Sequence, residues 1–232
     1  MSLPKQTLPI FNAVIPSTKK KVKFRQFTVK EEKILAQAQQ SEDLEVITNA
    51  IKEVVSSCVE GINDIDDLAL FDIEYLMTKI RAKSVGEYVD LSMECEADPK
   101  HKRIPLRINL DEIEVTFHKD HSTKIDLYDD VGVVMRYPSL KNLKNFEEAD
   151  GIDVIINCIS HIYTQEEIFD AKEQTKEELS DFLSNLTSKQ MNKIEDTFLK
   201  TIPTFEKNIT YACSECGHTH EKILKGLANF FA

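Results

Sequence analysis

The sequence predicts an α+β fold in which helical subdomains flank a small antiparallel sheet. Three observations predict this class. Apolar residues recur at helical spacing near both ends of the 232-residue chain, they alternate with polar residues in its middle, and two cysteines bracket a tight turn close to the C-terminus. Hydrophobic residues make up 41% of the chain, so a core can form without disulfides. We expect a single α+β unit in four segments: residues 1–83, 84–138, 139–203 and 204–232.

The first segment is predicted to begin with a β-hairpin and to continue as a helical subdomain. Apolar and polar side chains alternate within residues 9–27, around a turn at 16–18. Thr28 and Glu31 have the spacing of a capping box, in which each side chain binds a free backbone amide at the start of a helix. The spacing of apolar residues then predicts helices over three ranges: 28–40, 42–59 and 66–80.

A basic run at residues 19–25 lies in the second strand of this hairpin. The formal net charge of −11 argues against broad binding to nucleic acid, because a duplex binder neutralises phosphates with Lys and Arg. Charged and apolar residues alternate in the second half of the run, which is typical of a half-exposed strand with a solvated edge. A surface for an anionic partner is the alternative.

The remaining three segments are predicted from the same two patterns: helical spacing of apolar residues, and alternation of apolar with polar residues. Apolar residues alternate in the second segment, which predicts an antiparallel meander of about four strands: 88–93, 104–110, 113–117 and 131–136. The third segment predicts a helical subdomain, with the last two helices opening in capping boxes: 150–163, 175–186 and 187–199. The fourth returns to strands at 209–212 and 220–224.

The sharpest local signal is a knuckle between the last two strands. Cys213 and Cys216 bracket a tight turn, and Gly217 follows directly after Cys216. Thiolates at this spacing can face one tetrahedral metal ion, and glycine can adopt the positive φ of such a turn. Two further ligands must come from elsewhere. The best distant donors are Cys95, at the tip of the first strand pair of the meander, and His101 in the same loop. We predict that the two tips meet at a zinc-knuckle-like hairpin near the C-terminus.

The predicted ligands are three thiols and one imidazole: Cys95, Cys213, Cys216 and one of His101, His218 or His220. A complete zinc motif would have a second Cys pair, which this chain lacks. Two alternatives therefore stay open: one structural Zn²⁺, or a metal-free hairpin with exposed or reactive thiols. The pair His118 and His121 ranks lower, because no thiol lies near it in the sequence.

Known catalytic motifs are missing from the sequence. There is no glycine-rich phosphate loop, no Gly-x-Ser-x-Gly elbow and no His-Glu-x-x-His motif. No carboxylate is placed to activate a metal-bound water. The longest apolar stretches fall far short of the roughly 20 residues that span a bilayer, and no secretory signal is evident. We expect a cytoplasmically made, non-enzymatic protein in which Cys58 and Cys158 are small core residues.

Several stretches together resemble a known family. They occur in order along nearly the whole chain: residues 23–33, 71–76, 81–87, 109–113, 135–138, and the Cys213 knuckle followed by 226–231. In this arrangement the chain resembles the baseplate hub and hub-assembly proteins of T-even-type contractile-tailed bacteriophages.

The resemblance implies a non-enzymatic component of the central hub of the tail baseplate. Such a protein would act in hetero-oligomers with other hub, tail-tube or tape-measure proteins in the host cytoplasm during assembly. It would then either stay in the virion baseplate or leave as an assembly factor. Three apolar residues of the C-terminal tail are candidates for partner binding, or else they pack into the core: Leu227, Phe230 and Phe231. The alternative function is a zinc-ribbon nucleic-acid-binding protein of the transcription-factor type, but the charges around the knuckle are nearly balanced.

Overall fold

The computed structural model describes residues 6–41, 43–142 and 151–225, where helices and antiparallel strands form an α+β fold, as predicted. The described helices are α1 (Val29–Gln39), α2 (Leu44–Cys58), α3 (Leu70–Ser84), α4 (Ile152–Cys158), α5 (Lys176–Ser184) and α6 (Ser188–Thr197). The strands are β1 (Ile10–Val14), β2 (Lys21–Arg25), β3 (Val59–Glu60), β4 (Tyr88–Met93), β5 (Ile104–Asn109), β6 (Glu114–Thr116), β7 (Lys124–Tyr128), β8 (Val131–Met135), β9 (Ile159–Tyr163), β10 (Ile168–Asp170), β11 (Thr204–Ala212) and β12 (Thr219–Lys225). None of the described helices is long and apolar enough to cross a membrane.

The strands form several small sheets in place of the single small sheet that was predicted. Their orders are β1-β2-β3, β4-β5, β12-β11-β6 and β10-β9-β8-β7. The predicted meander is therefore wrong: β4 and β5 pair only with each other, while β6 pairs with β11, and β8 lies between β7 and β9. Alternation identifies a strand and its buried face, but it does not identify the partner of that strand.

The chain divides into two units. The first comprises residues 1–65, 71–116 and 204–232, and the second comprises residues 66–70 and 117–203. Each has a cluster of buried apolar side chains that belongs to it alone. The organisation of the four sequence segments as a single unit stays a prediction.

The first unit begins with the predicted hairpin. Phe11 and Phe24 face each other on its inner face, 5.4 Å apart between ring centroids. The Ser17 amide in the turn donates a hydrogen bond to the carboxylate of Asp72, which is fully buried at the start of α3. The capping box of Thr28 and Glu31 starts α1. These contacts fix the hairpin to the helices. The short strand β3 was not predicted, and its pairing makes β2 the central strand of this sheet.

Two further hairpins of the first unit place the candidate site. Strands β4 and β5 pair from Tyr88–Asn109 to Met93–Ile104, so residues 94–103 form the connecting loop at one end. Strands β11 and β12 pair up to Ala212–Thr219, so residues 213–218 form the turn between them. Both hairpins contribute side chains to one buried cluster, which includes Cys95 and Cys213. Packing within this cluster holds the two connections in place.

In the second unit, helices α4 to α6 and the strands β7 to β10 share a core. Capping boxes at Thr175 and Thr187 start α5 and α6, as predicted. The predicted helix 150–163 is wrong in its second half, because α4 ends at Cys158 and β9 follows directly between β8 and β10. Strands β7 and β10 were not predicted. The core prediction for cysteines is confirmed, since Cys58 and Cys158 are both buried.

Candidate metal centre

The tips of two hairpins bring together Cys95, His101, Cys213 and Cys216. Their ligand atoms all lie within 4.8 Å of one another. Cys95 and Cys213 are each 2% exposed, whereas the Cys216 thiol reaches the surface. Within the described ranges, this is the group of His, Cys, Asp and Glu side chains whose arrangement could hold a metal ion.

The spacing of the ligand atoms fits a tetrahedral Zn²⁺ ion. With Zn–S bonds of about 2.3 Å and Zn–N bonds of about 2.0–2.1 Å, two sulfurs would lie about 3.8 Å apart and a sulfur and a nitrogen about 3.6 Å apart. The Cys95 and Cys216 sulfurs are 3.8 Å apart. His101 Nδ1 lies 3.4 Å from Cys95 Sγ and 3.5 Å from Cys213 Sγ. These three distances and the ligand types are compatible with a structural Cys₃His zinc site.

Local backbone geometry explains how each tip presents its ligands. In the C-terminal turn the Gly217 amide donates to the Cys213 carbonyl at 2.8 Å, and Gly217 has the predicted positive φ of 70°. The His218 amide donates toward the Cys216 sulfur. In the other loop the amides of Ala97 and Asp98 donate to the Cys95 sulfur. Amides directed at thiolates satisfy the lone pairs that a metal leaves free.

A carboxylate supports the histidine ligand. Asp98 Oδ2 lies 3.9 Å from Nε2 of His101, on the side of the ring opposite the sulfurs. The Asp98 carbonyl also accepts the His101 amide at 3.1 Å, and its Oδ1 accepts the Lys100 amide at 2.9 Å. At 3.9 Å the carboxylate is too distant for a hydrogen bond with the ring, so it acts on the imidazole only through its charge. The short turn after Cys95 therefore positions both the thiol and the imidazole.

The hydrogen bond between Cys95 and His101 changes the pKa of both groups. The hydrogen bond with His101 is the main reason why the pKa of Cys95 is lowered to about 5, with help from backbone amides and against the effect of burial. The same hydrogen bond raises the pKa of His101. The pKa of Cys216 is raised: the His218 amide acts to lower it, but burial and the neighbouring sulfurs outweigh that effect. Closely spaced thiolates repel one another unless a cation lies between them.

The other two candidate histidines lie outside the four-ligand group. His218 is exposed, and its ring meets the His220 ring edge-on at 4.7 Å between centroids. His220 is buried, 2% exposed, and stacks on Tyr211 at 5.0 Å. Neither ring nitrogen of His220 makes a hydrogen bond of normal geometry with a described residue, although the ring lies near Cys95. His220 is on the same face of β12 as the buried Leu224, but the sequence of this strand does not alternate regularly and gives no signal of its burial.

The pair His118 and His121 does not belong to the four-ligand group. His121 belongs to the second unit, where its Nδ1 bonds the Thr201 hydroxyl and its Nε2 the Tyr137 hydroxyl, both at 2.9 Å. His118 is exposed. The predicted partner-binding tail lies outside the described residues: Leu227, Phe230 and Phe231.

Comparisons with known proteins extend over both units. A family model described as T4 bacteriophage base plate protein matches residues 8–232. The baseplate hub assembly protein gp26 of Enterobacteria phage T4 is 29% identical over 211 residues, which cover 89% of this chain and 90% of that protein. No solved structure shows a significant match to the chain.

Proposed function

The chain belongs to the family of T4 bacteriophage base plate proteins, and we propose that it is a non-enzymatic structural or assembly component of the central hub of the phage tail baseplate. The observation that carries this proposal is the family match from residue 8 to residue 232. The 29% identity to a hub assembly protein over most of both chains supports the hub in particular. The alternative of a nucleic-acid-binding zinc ribbon receives no support from these matches.

In this role the protein acts by binding other proteins. We propose hub, tail-tube or tape-measure proteins as its partners. The hetero-oligomer would form in the host cell and would be used to assemble the virion baseplate. The apolar tail residues Leu227, Phe230 and Phe231 remain candidates for these contacts.

A structural Zn²⁺ ion is the second part of the proposal. Cys95 and His101 from one hairpin, with Cys213 and Cys216 from the other, would complete its tetrahedral coordination. Four protein ligands leave no open position for a water or a substrate, which favours a structural role over a catalytic one. The ion would link loops that lie more than 100 residues apart in the sequence. Because the ligand set does not exist in the unfolded chain, binding would add directly to the folding free energy of the first unit.

A genetic experiment tests the function. A phage with a stop codon in this gene should form no complete baseplates in a non-suppressing host, and electron microscopy of the lysate should show tail tubes and baseplates that fail to assemble. A plasmid copy of the wild-type gene should restore complete tails. Normal tails in the absence of the protein would contradict the proposal.

A further inference from the structure

The first sheet has an outer face that combines basic and aliphatic side chains. Cross-strand neighbours lie on the same face, so the register of β1 and β2 defines this outer face: Ile10, Asn12, Val14, Lys21, Lys23 and Arg25. Ile10 is 53% exposed and Val14 is 42% exposed. The opposite face carries the buried Ala13, Val22 and Phe24.

The lysines of the outer face lack carboxylate partners. Within the described residues, neither Lys21 nor Lys23 has an ion pair, although Glu60 of β3 lies opposite Lys23 in the register. Arg25 differs, because it binds the buried Glu31 at 2.8 Å. Seven of the 29 basic residues of the chain and none of its 40 acidic residues precede Glu31. Glu60 is the carboxylate that the register places on this face, so Lys21, Lys23 and Arg25 leave it locally positive in a chain with a net charge of −11.

The edge of the sheet beside these lysines can accept another strand. The Ile15 amide donates to the Lys20 carbonyl across the hairpin, and bonded pairs alternate along an antiparallel ladder. The backbone groups of Ile10 and Asn12 therefore point away from β2, toward the side of β1 where none of the described strands pairs with it. Strand addition could not extend past Val14, because the Val14 backbone already makes a hydrogen bond with the hydroxyl of Tyr75.

Within its five residues, strand β1 contains no charged residue and no proline, the residue types that most often protect a sheet edge. Proteins prevent edge pairing with charged residues or proline on the edge strand itself. Among the described edge strands, β3, β4, β5, β6, β7, β10 and β12 each contain a charged residue or a proline. The sequence of β1, Ile-Phe-Asn-Ala-Val, contains neither. An unprotected edge beside unpaired lysines indicates a surface that is covered in an assembly.

We propose that this edge and the outer face beside it bind an acidic, extended segment of another baseplate protein, which adds as a strand alongside β1. The inference rests on the proposed function, in which the chain acts by binding such proteins. An added strand would lie about 4.8 Å beyond β1. The stems of Lys21 and Lys23 could then extend over Val14 and Asn12, and their ammonium groups would reach acidic side chains of the new strand. Ile10 and Val14 would be buried at the centre of the contact.

Two variants separate the charge from the edge. Lys21→Glu with Lys23→Glu reverses the charge of the outer face and leaves the β1 backbone intact. Asn12→Pro removes only an amide that points away from β2, so it blocks strand addition while keeping the β1–β2 ladder. The control is Lys172→Glu with Lys189→Glu, which makes the same charge change at two exposed lysines of the second unit.

The experiment co-expresses each variant with the baseplate and tail proteins of the same phage, one at a time, and measures the affinity of any complex that the wild type forms. We expect both test variants to bind at least about tenfold more weakly, with the control unchanged. Hydrogen exchange should show the amides of Ile10 and Asn12 protected in the wild-type complex.

The possible outcomes are distinct. A complex that forms equally well with all variants overturns this docking surface but leaves the proposed function intact, whereas the absence of any complex overturns both. A loss with the lysine variant but not with Asn12→Pro rejects strand addition. Tight binding of a 20-base-pair DNA duplex that requires Lys21 and Lys23 would also overturn the inference, because the occupant would then be a nucleic acid.

Discussion

At the level of single residues, the candidate metal centre depends on side chains that no local interaction brings together. Cys95 and His101 lie in one loop, and Cys213 and Cys216 lie in a turn more than 100 residues away. His101 is central to the arrangement, because its Nδ1 lies within 3.5 Å of a sulfur from each loop. Loss of one ligand should therefore release the connection between the loops as a whole.

Cys213→Ser should abolish stoichiometric zinc binding and lower the free energy of unfolding by about 3 kcal/mol or more, because metal binding contributes directly to folding. Elemental analysis and denaturant titration would measure the two effects. The control is Cys158→Ala, which removes a buried thiol from the other unit and should keep the zinc. A Cys213→Ser protein with its full zinc content would contradict the proposed coordination.

A second residue-level prediction concerns Glu31, which is 4% exposed and caps α1. Burial alone would raise its pKa, but hydrogen bonds from Arg25 and Thr28 lower it to about 2. A carboxyl with a depressed folded-state pKa stabilises the protein above its unfolded pKa, near 4.5, and loses that effect as the pH falls toward 2. Glu31→Gln should therefore cost about 2–3 kcal/mol at pH 7 and almost nothing near pH 2.

Unfolding titrations of Glu31→Gln at several pH values would test this dependence. The matched control is Glu178→Gln, which changes an exposed capping-box residue of α5 and should cost much less than Glu31→Gln at every pH. A penalty for Glu31→Gln that does not change between pH 7 and pH 2 would mean that the ion pair with Arg25 is not its cause.

Sequence patterns identified the capping residues and the three thiols, but not the partner of Glu31 or the choice among the candidate histidines. The capping box of Thr28 and Glu31 is local, so spacing alone predicts it. The pairing of Glu31 with Arg25 depends on how the strand meets the helix. In the same way, the spacing of Cys213 and Cys216 predicts a knuckle, whereas the choice among three histidines depends on the loop after Cys95.

At the level of secondary-structure elements, the knuckle turn depends on a left-handed residue. Gly217 has a φ of 70°, and no atom lies within 4 Å of the position where a Cβ would be. Gly217→Ala should therefore destabilise only through its backbone, by about 1–2 kcal/mol. Competition with a chelator should show roughly tenfold weaker zinc binding. Gly217→Asn is the control and should lose less, because Asn tolerates this conformation; equal losses would contradict the explanation.

The four-stranded sheet of the second unit allows no side chain at Gly132. A Cβ there would overlap the ring of Tyr163 and lie 2.6 Å from the carbonyl oxygen of Ile125. Gly132→Ala should lower the free energy of unfolding by about 1–3 kcal/mol, measured by denaturant titration, without changing the zinc content. In a Tyr163→Ala background the cost should be smaller, because one of the two overlaps is gone. An unchanged cost would indicate that the overlap with the ring is not important.

The errors of prediction at this level have one cause. Ile155, Ile156, Ile159 and Ile162 have helical spacing, which predicted a helix through residue 163. The chain instead leaves the helix at Cys158, because Ile159–Tyr163 pairs with strands on both sides. β-branched residues fit either structure, so the decision comes from pairing partners distant in sequence. Capped helices depend on neighbouring residues and were predicted correctly, as were the hairpins β1–β2, β4–β5 and β11–β12. The hairpins β7–β8 and β9–β10 were missed, because β7 and β10 were not recognised as strands.

At the level of the whole molecule, charge is distributed unevenly along the chain. The basic residues at its start contrast with a net charge of −11 overall. Such a distribution favours association with acidic surfaces through a defined face, while the rest of the surface keeps unrelated anionic molecules away. The family match spans residues of both units. Both units are therefore expected to serve the same assembly function.

Native mass spectrometry of the protein, alone and co-expressed with hub and tape-measure proteins of the same phage, tests the central claim most directly. The proposal predicts a discrete hetero-complex in which each copy of this chain carries one zinc ion. A metal-free monomer that binds none of these proteins would contradict both the assembly role and the zinc site.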